Sequence, residues 1–147
     1  MVEPKDAEAH PPKQSGNRPA RPSEPAAVLL AMQLLKWLMP ITGRFPKNYR
    51  YGLGSRIEAA HLDVLEELVH AQYSRGEARS RALERANTRL QSARLLMRLA
   101  VELKVLSEGA ALHAAKQQVE LGQQVGAWRK TSVSMENSLR GSVTPVT

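Results

Sequence analysis

The sequence predicts an all-α protein, an antiparallel up-down-up-down four-helix bundle, and three observations carry that prediction. Residues 79–106 run without Pro or Gly and consist mostly of good helix formers. Apolar residues recur at three- and four-residue steps in four successive stretches, and the links between them are short. In three of these stretches the apolar cover extends beyond one face, which predicts burial on two sides and hence bundles packed on one another. At 147 residues there is room for one domain with one modest core.

Residues 1–25 hold six of the nine prolines and almost no large apolar side chain. Such a stretch cannot bury enough surface to offset its ordering entropy, so a disordered N-terminal tail is expected. The bundle is expected over residues 26–130. Its first helix, 26–39, carries Val28, Met32, Leu35 and Met39 on one face and Leu30, Leu34, Trp37 and Ile41 on the other, with Pro40 as its stop. Residues 42–54 connect it to the second helix and gather Arg44, Lys47 and Arg50, with Arg56 just beyond.

The second helix, 55–73, points Ile57, Ala60, His61, Val64, Leu65, Leu68 and Ala71 inward. Ser74 and Glu77 stand at capping-box spacing before the third. There Leu83, Ala86, Leu90, Ala93, Met97 and Ala100 form the inner face, while Leu95, Leu99 and Leu103 add apolar surface elsewhere. Ser107 is the expected N-cap of the fourth helix, which is read to end near Lys130. In it Leu112, Ala115, Val119, Gly122 and Gly126 suggest a small-residue seam approached by another backbone, with Leu121, Val125 and Trp128 as a second apolar strip. Residues 131–147 are polar, lack helical period and are expected to be a flexible tail.

Charge is concentrated. Residues 77–106 carry seven basic side chains against three acids, +4 of the chain's +7. Arg81 and Arg98 have acids within one helical turn on their own helix, whereas Arg85, Arg89 and Arg94 have none. The plain reading is a solvated face, or pairing across to Asp63, Glu66 and Glu67. The sharper one is a polyanion-binding stripe of Arg81, Arg85, Arg89, Arg94 and Arg98, extended by Arg44, Lys47, Arg50 and Arg56. A pI near 10.1 agrees with an acidic partner. Two Trp, three Tyr and one Phe argue against recognition on an aromatic platform, so phosphate contacts should dominate.

The absence of Cys excludes a disulfide framework, a thiol nucleophile and a thiolate metal site. The most apolar stretch, 26–41, falls short of a membrane span of roughly 20 residues and contains Lys36 and Pro40. The N-terminal residues lack the basic start and apolar run of a signal peptide, and a cytoplasmic protein without a membrane partner is expected.

Trp37-Leu38 before Pro40, Phe45-Pro46, Arg50-Tyr51-x-Leu53-Gly54, Arg56-Ile57-Glu58 and the closing Gly122…Gly126-x-Trp128 form an ordered set. Over about residues 26–130 that set resembles the accessory variability determinant (Avd) proteins of diversity-generating retroelements. These lie within the wider four-helix-bundle family of ribosomal RNA intervening-sequence proteins. Intervening-sequence relatives carry a break within the second helix; here residues 64–73 read as continuous helix, which favours the Avd branch.

The resemblance implies a barrel-like homopentamer with a basic surface, associated with a reverse transcriptase and its template RNA or an RNA–DNA hybrid. Its implied role is to support the error-prone, template-primed cDNA synthesis of mutagenic retrohoming. Leu95, Leu99 and Leu103, with Leu34 and Trp37 of the first helix, are the expected oligomer interface. A stand-alone RNA-binding bundle of the intervening-sequence type is the alternative.

Hidden chemistry has weak support. Arg56 and His61 show the Arg-x-x-x-x-His spacing of HEPN-type ribonucleases, but five residues on a helix turn by about 140°, so the side chains diverge. His61 lies on the apolar face and reads as a core-edge histidine. His61 and His70 occupy opposite faces and cannot share a metal. No phosphate-binding glycine loop is present; no catalytic residue, metal or cofactor is expected.

Overall fold

The structure, a computed structural model, describes residues 24–141. Within it the chain forms α1 (Ala26–Gly43), the single turn α2 (Lys47–Tyr49), α3 (Ser55–Gln72), α4 (Gly76–Glu102) and α5 (Glu108–Gly141). No strand occurs among the described residues. A π-helical turn, Arg50–Gly54, joins α2 to α3 without a break. Each long helix packs on the one before and the one after it, and α5 closes on α1. With short connections, that adjacency is an antiparallel four-helix bundle.

The inner faces follow the three-four rule. Ile57, Ala60, His61, Val64, Leu68 and Ala71 are buried on α3, and Ala82, Leu83, Ala86, Leu90, Ala93, Met97 and Ala100 on α4. On α1 the buried stripe is Ala27, Val28, Ala31, Leu34, Leu35, Leu38 and Thr42. This cuts across the two faces expected from sequence, because apolar residues surround α1 and leave its phase open. Each fully buried leucine contributes roughly 1.5–3 kcal/mol over an exposed one. The core has two parts: one through the body, around Leu34, Leu68, Leu83 and Leu90, and one at the α1–α3 connector, around Leu38, Phe45, Ile57 and Met97. Trp37 touches both and meets the His113 ring at 4.6 Å.

Several boundaries differ from expectation. Pro40 does not end α1, which continues to Gly43. Pro40 lacks the donor that would bond the Lys36 carbonyl, a cost that burial of Leu38 and Thr42 offsets. The Thr42 hydroxyl meets the Glu58 carboxylate and ties the end of α1 to α3. By length and composition alone α1 could cross a membrane; here its apolar stripe lines the core.

The capping box before α4 is not formed. Ser74 donates instead to the His70 carbonyl at 2.7 Å, and Arg75 stands at the N-cap without a side-chain cap. Gly76 begins α4 at φ +57, a left-handed conformation that glycine adopts without steric cost.

At the other end of α4, Lys104 takes φ +60 where glycine is usual. The Lys104 N–H bonds Val101 and the Val105 N–H bonds Ala100, closing a Schellman motif. Ser107 caps α5 as expected, accepting the Ala110 N–H at 3.1 Å.

The helix expected to stop near Lys130 extends to Gly141, so residues 131–141 are helical where no helical period was expected; the expected N-terminal tail over residues 1–23, and residues 142–147, lie outside the described residues. The seam on α5 is also corrected. Leu112 and Val119 are exposed, whereas Ala114, Gln118, Leu121 and Val125 face the core. No backbone approaches Gly122. A Cβ there would stand 3.1 Å from Nη2 of Arg94, so the glycine makes room for a guanidinium. Nothing lies within 4 Å of the corresponding point at Gly126.

Candidate nucleic-acid interface

The arginines of α4 were read either as a polyanion-binding stripe or as a solvated face paired across to acids of the second helix, and the structure gives every one of them a partner. Arg81 bonds Glu77 at 2.6 Å and Arg98 bonds Glu102 at 3.2 Å, both along the helix. Arg85 reaches across to Glu67 on α3 at 3.0 Å, and Arg89 stands 4.0 Å from Asp63. The missing acids of the local count are therefore on the neighbouring helix. These exposed pairs contribute about 0–1 kcal/mol each, but each sets a carboxylate beside a cation of the stripe.

Arg94 leaves the stripe altogether. Its Nη2 donates to the Gln118 carbonyl at 3.0 Å, and its Nε is buried without a partner. Its place is structural, at the α4–α5 seam above Gly122. Together with Met97, Val101, Ala115, Gln118 and Val119 it lines an open, mainly apolar groove of about 350 Å³.

The connector behaves differently. Arg44, Lys47, Arg50 and Arg56 are all exposed, and no carboxylate of the described residues pairs with any of them. Because α1 and α4 end where α3 and α5 begin, these four cations crown one end of the bundle, the end that also carries Lys104. The opposite end pairs most of its charge: Arg129 with Glu84, Arg140 with Glu136 and Arg81 with Glu77. Arg79 there donates to the carbonyls of Ala71 and Gln72 and lies over the Trp128 ring. Of the nine candidate contacts, the connector four are thus the available cations.

His61 is a core residue. Its Nδ1–H donates to the Ile57 carbonyl at 2.7 Å, which leaves Nε2 to accept from the Gln118 side-chain amide at 3.0 Å. Burial holds its pKa below the ordinary imidazole value, and the Ile57 bond offsets part of that. Both ring nitrogens are engaged, so the ring offers no base to a substrate, and exposed Arg56 does not join it. The Arg56–His61 ribonuclease pair is not assembled within the chain. Among the described residues no three of His, Asp and Glu gather as metal ligands.

Apolar surface is left over in strips. On α4, Leu95, Leu99 and Leu103 are 64%, 43% and 41% exposed at four-residue steps. On α1 the exposed apolar residues are Leu29, Met32 and Met39. Leu34, expected at the same interface, is 1% exposed and belongs to the core; Trp37 is half-buried within the bundle.

Over the described residues the molecule is therefore an all-α four-helix bundle with one cationic end and spare apolar surface. The profile of the bAvd-like proteins matches residues 30–132, and the chain belongs to that family, the accessory variability determinants. No curated protein matches the sequence at a significant level.

Proposed function

We propose that the protein is the non-catalytic accessory subunit of a diversity-generating retroelement. In this reading it works in the cytoplasm without a membrane, as a barrel-like homopentamer docked on the reverse transcriptase. Its basic surface holds the template RNA, or the RNA–DNA hybrid, during error-prone, template-primed cDNA synthesis. Family membership over residues 30–132 is the observation that carries it.

The physical support is of two kinds. Cations without a carboxylate partner among the described residues crowd one end of the bundle, and phosphate binding with counterion release suits them. The Leu95–Leu99–Leu103 strip is apolar surface that a solitary bundle leaves wet, and burial between copies removes it from water. A multivalent assembly raises the effective concentration of template near a polymerase without performing chemistry.

Co-expression with the candidate transcriptase and template RNA tests the reading. A co-purifying complex and template-dependent cDNA that disappears when the protein is omitted are the expected results. Unchanged cDNA synthesis without it overturns the accessory role. RNA binding with no transcriptase complex returns the alternative of a stand-alone RNA-binding bundle. Light scattering on the free protein tests the assembly: a monomer at micromolar concentration removes the pentamer.

A further inference from the structure

We propose that the turn between α1 and α3 seats one unstacked base of a single-stranded RNA segment. Tyr51 is the stacking face, and Arg44, Lys47, Arg50 and Arg56 hold the flanking phosphates. The seat rests on the nucleic-acid reading above and adds to it where the RNA lies and in which strand state.

The turn is fixed from inside. Phe45 is buried, and the point where a Gly54 Cβ would sit is 3.4 Å from the Phe45 ring. Tyr49 and Leu53 pack against the core at this end. The N–H groups of Tyr49 and Arg50 both bond the Pro46 carbonyl, at 2.8 and 2.9 Å, and the Ser55 hydroxyl donates to the Arg50 carbonyl at 3.3 Å. Residues 45–55 therefore alternate anchors with free side chains. What points outward is one aromatic ring and a set of cations, on a backbone that is already ordered before any ligand arrives.

Tyr51 is 71% exposed and sits in the π-helical turn Arg50–Gly54. π-Turns are rare, less favourable than a regular helical turn, and concentrated at functional sites. Nothing among the described residues gives this ring a packing role, and four cations without carboxylate partners among the described residues lie within seven residues of it. A base has an apolar face that stacks on such a ring and a phosphate on either side of it, so ring and cations answer to one ligand. The bases of a duplex are stacked on each other and closed to a lone surface tyrosine, which selects an unpaired segment.

The molecule contains its own control. Tyr73, at the opposite end, is 82% exposed, but of the arginines near it only Arg75 faces solvent without a carboxylate partner among the described residues, while Arg79 is held on backbone carbonyls and Arg81 on Glu77. It offers the same ring without the same clamp.

The test is fluorescence anisotropy of the full chain with a labelled oligouridine and a labelled RNA duplex of equal length, across a salt series. Tyr51→Ala should weaken oligouridine binding about tenfold, Tyr51→Trp should retain it, and Tyr73→Ala should leave it unchanged. Neither tyrosine variant should change the salt slope, because no charge is lost; each cation removed should lower it by about 0.7. Circular dichroism should be unaltered, since both rings are exposed.

Wild-type affinity in Tyr51→Ala, or equal losses on single strand and duplex, overturns the base seat. If the four-cation variant loses binding while Tyr51→Ala does not, RNA binding stands and the seat falls. If the wild-type protein binds neither RNA, both fall. Intact RNA binding with lost transcriptase co-purification in Tyr51→Ala assigns the turn to a protein partner instead, which also overturns the seat.

Discussion

The α4 stripe and the α1–α3 connector hold similar numbers of cations and differ in nearly everything else. On α4, five arginines face four acids and a backbone carbonyl. At the connector, four cations face solvent, on a turn held from behind by Phe45 and Gly54. Formal charge counted along a sequence points to the stripe; charge counted in space points to the connector. The field that a polyanion meets is the unpaired one, and it lies at an end of the bundle and not along its side.

Four experiments press on that contrast. The largest effect is expected from replacing Arg44, Lys47, Arg50 and Arg56 together with Ala. The slope of log affinity against log salt should fall by about 3 units, with RNA binding reduced by about 100-fold or more at moderate salt. Replacing Arg81, Arg85 and Arg89 should cost markedly less. A stripe variant that binds as poorly as the connector variant breaks the contrast.

Next comes Arg94→Ala. It removes the bond to the Gln118 carbonyl and empties the space kept by Gly122, so about 1–3 kcal/mol of stability should be lost in denaturant melts. Arg94→Ala with wild-type stability and weakened RNA binding would return this residue to the interface.

His61 supplies a smaller, pH-dependent effect. Its folded pKa is depressed by burial, so the unfolded chain takes up a proton at higher pH than the folded chain does. Stability is therefore full above the ordinary value of 6.5 and falls as pH drops through it toward the folded pKa, by at most about 1.4 kcal/mol per pH unit. In His61→Gln that part of the pH dependence should vanish from thermal melts recorded between neutral and mildly acid pH. A slope that persists belongs to other groups.

The smallest effect sharpens the comparison from the other side. Asp63→Asn with Glu67→Gln frees Arg89 and Arg85 without moving them. RNA binding should tighten a few-fold, in line with exposed pairs worth under about 1 kcal/mol. No change would mean that the stripe lies off the path of the RNA even when uncompensated.

How much of this was legible in the sequence depended on how one-sided each helix is. The inner faces of α3 and α4 were read correctly because polar residues flank them and leave a single phase. α1 is apolar almost all round, so Leu34 was placed at an interface when it fills the core, and Leu29, Met32 and Met39 were left out of the exposed set they form. On α5 the glycines suggested a seam on the wrong face, since nothing in the sequence tells a glycine that admits a guanidinium from one that admits a backbone.

Pairing across to Asp63 and Glu67 was one of two readings of the stripe, and choosing it for Arg85 and Arg89 needed the register of α4 against α3, which period alone does not supply. The connector cluster was legible as charge. Its freedom from carboxylates, and the exposure of Tyr51 on a π-turn, were visible only in the fold.

The order of packing around the bundle has a further consequence, for how the chain reaches its structure. The α1–α3, α3–α4 and α4–α5 contacts join neighbours in sequence, whereas α1 meets α5 only after most of the chain is in place. Contacts of low sequence separation close fastest. Trp128 lies beneath Arg79 of α4 and also lines a groove with Ala26 and Ala27 of α1, whereas Trp37 of α1 meets the His113 ring of α5. In stopped-flow refolding, a Trp128→Phe variant, which keeps Trp37 against His113, should report the later closure of α1 on α5. The α1–α5 seam is then the last to close, and until it does the body core around Leu83 and Leu90 stays open to other copies of the chain.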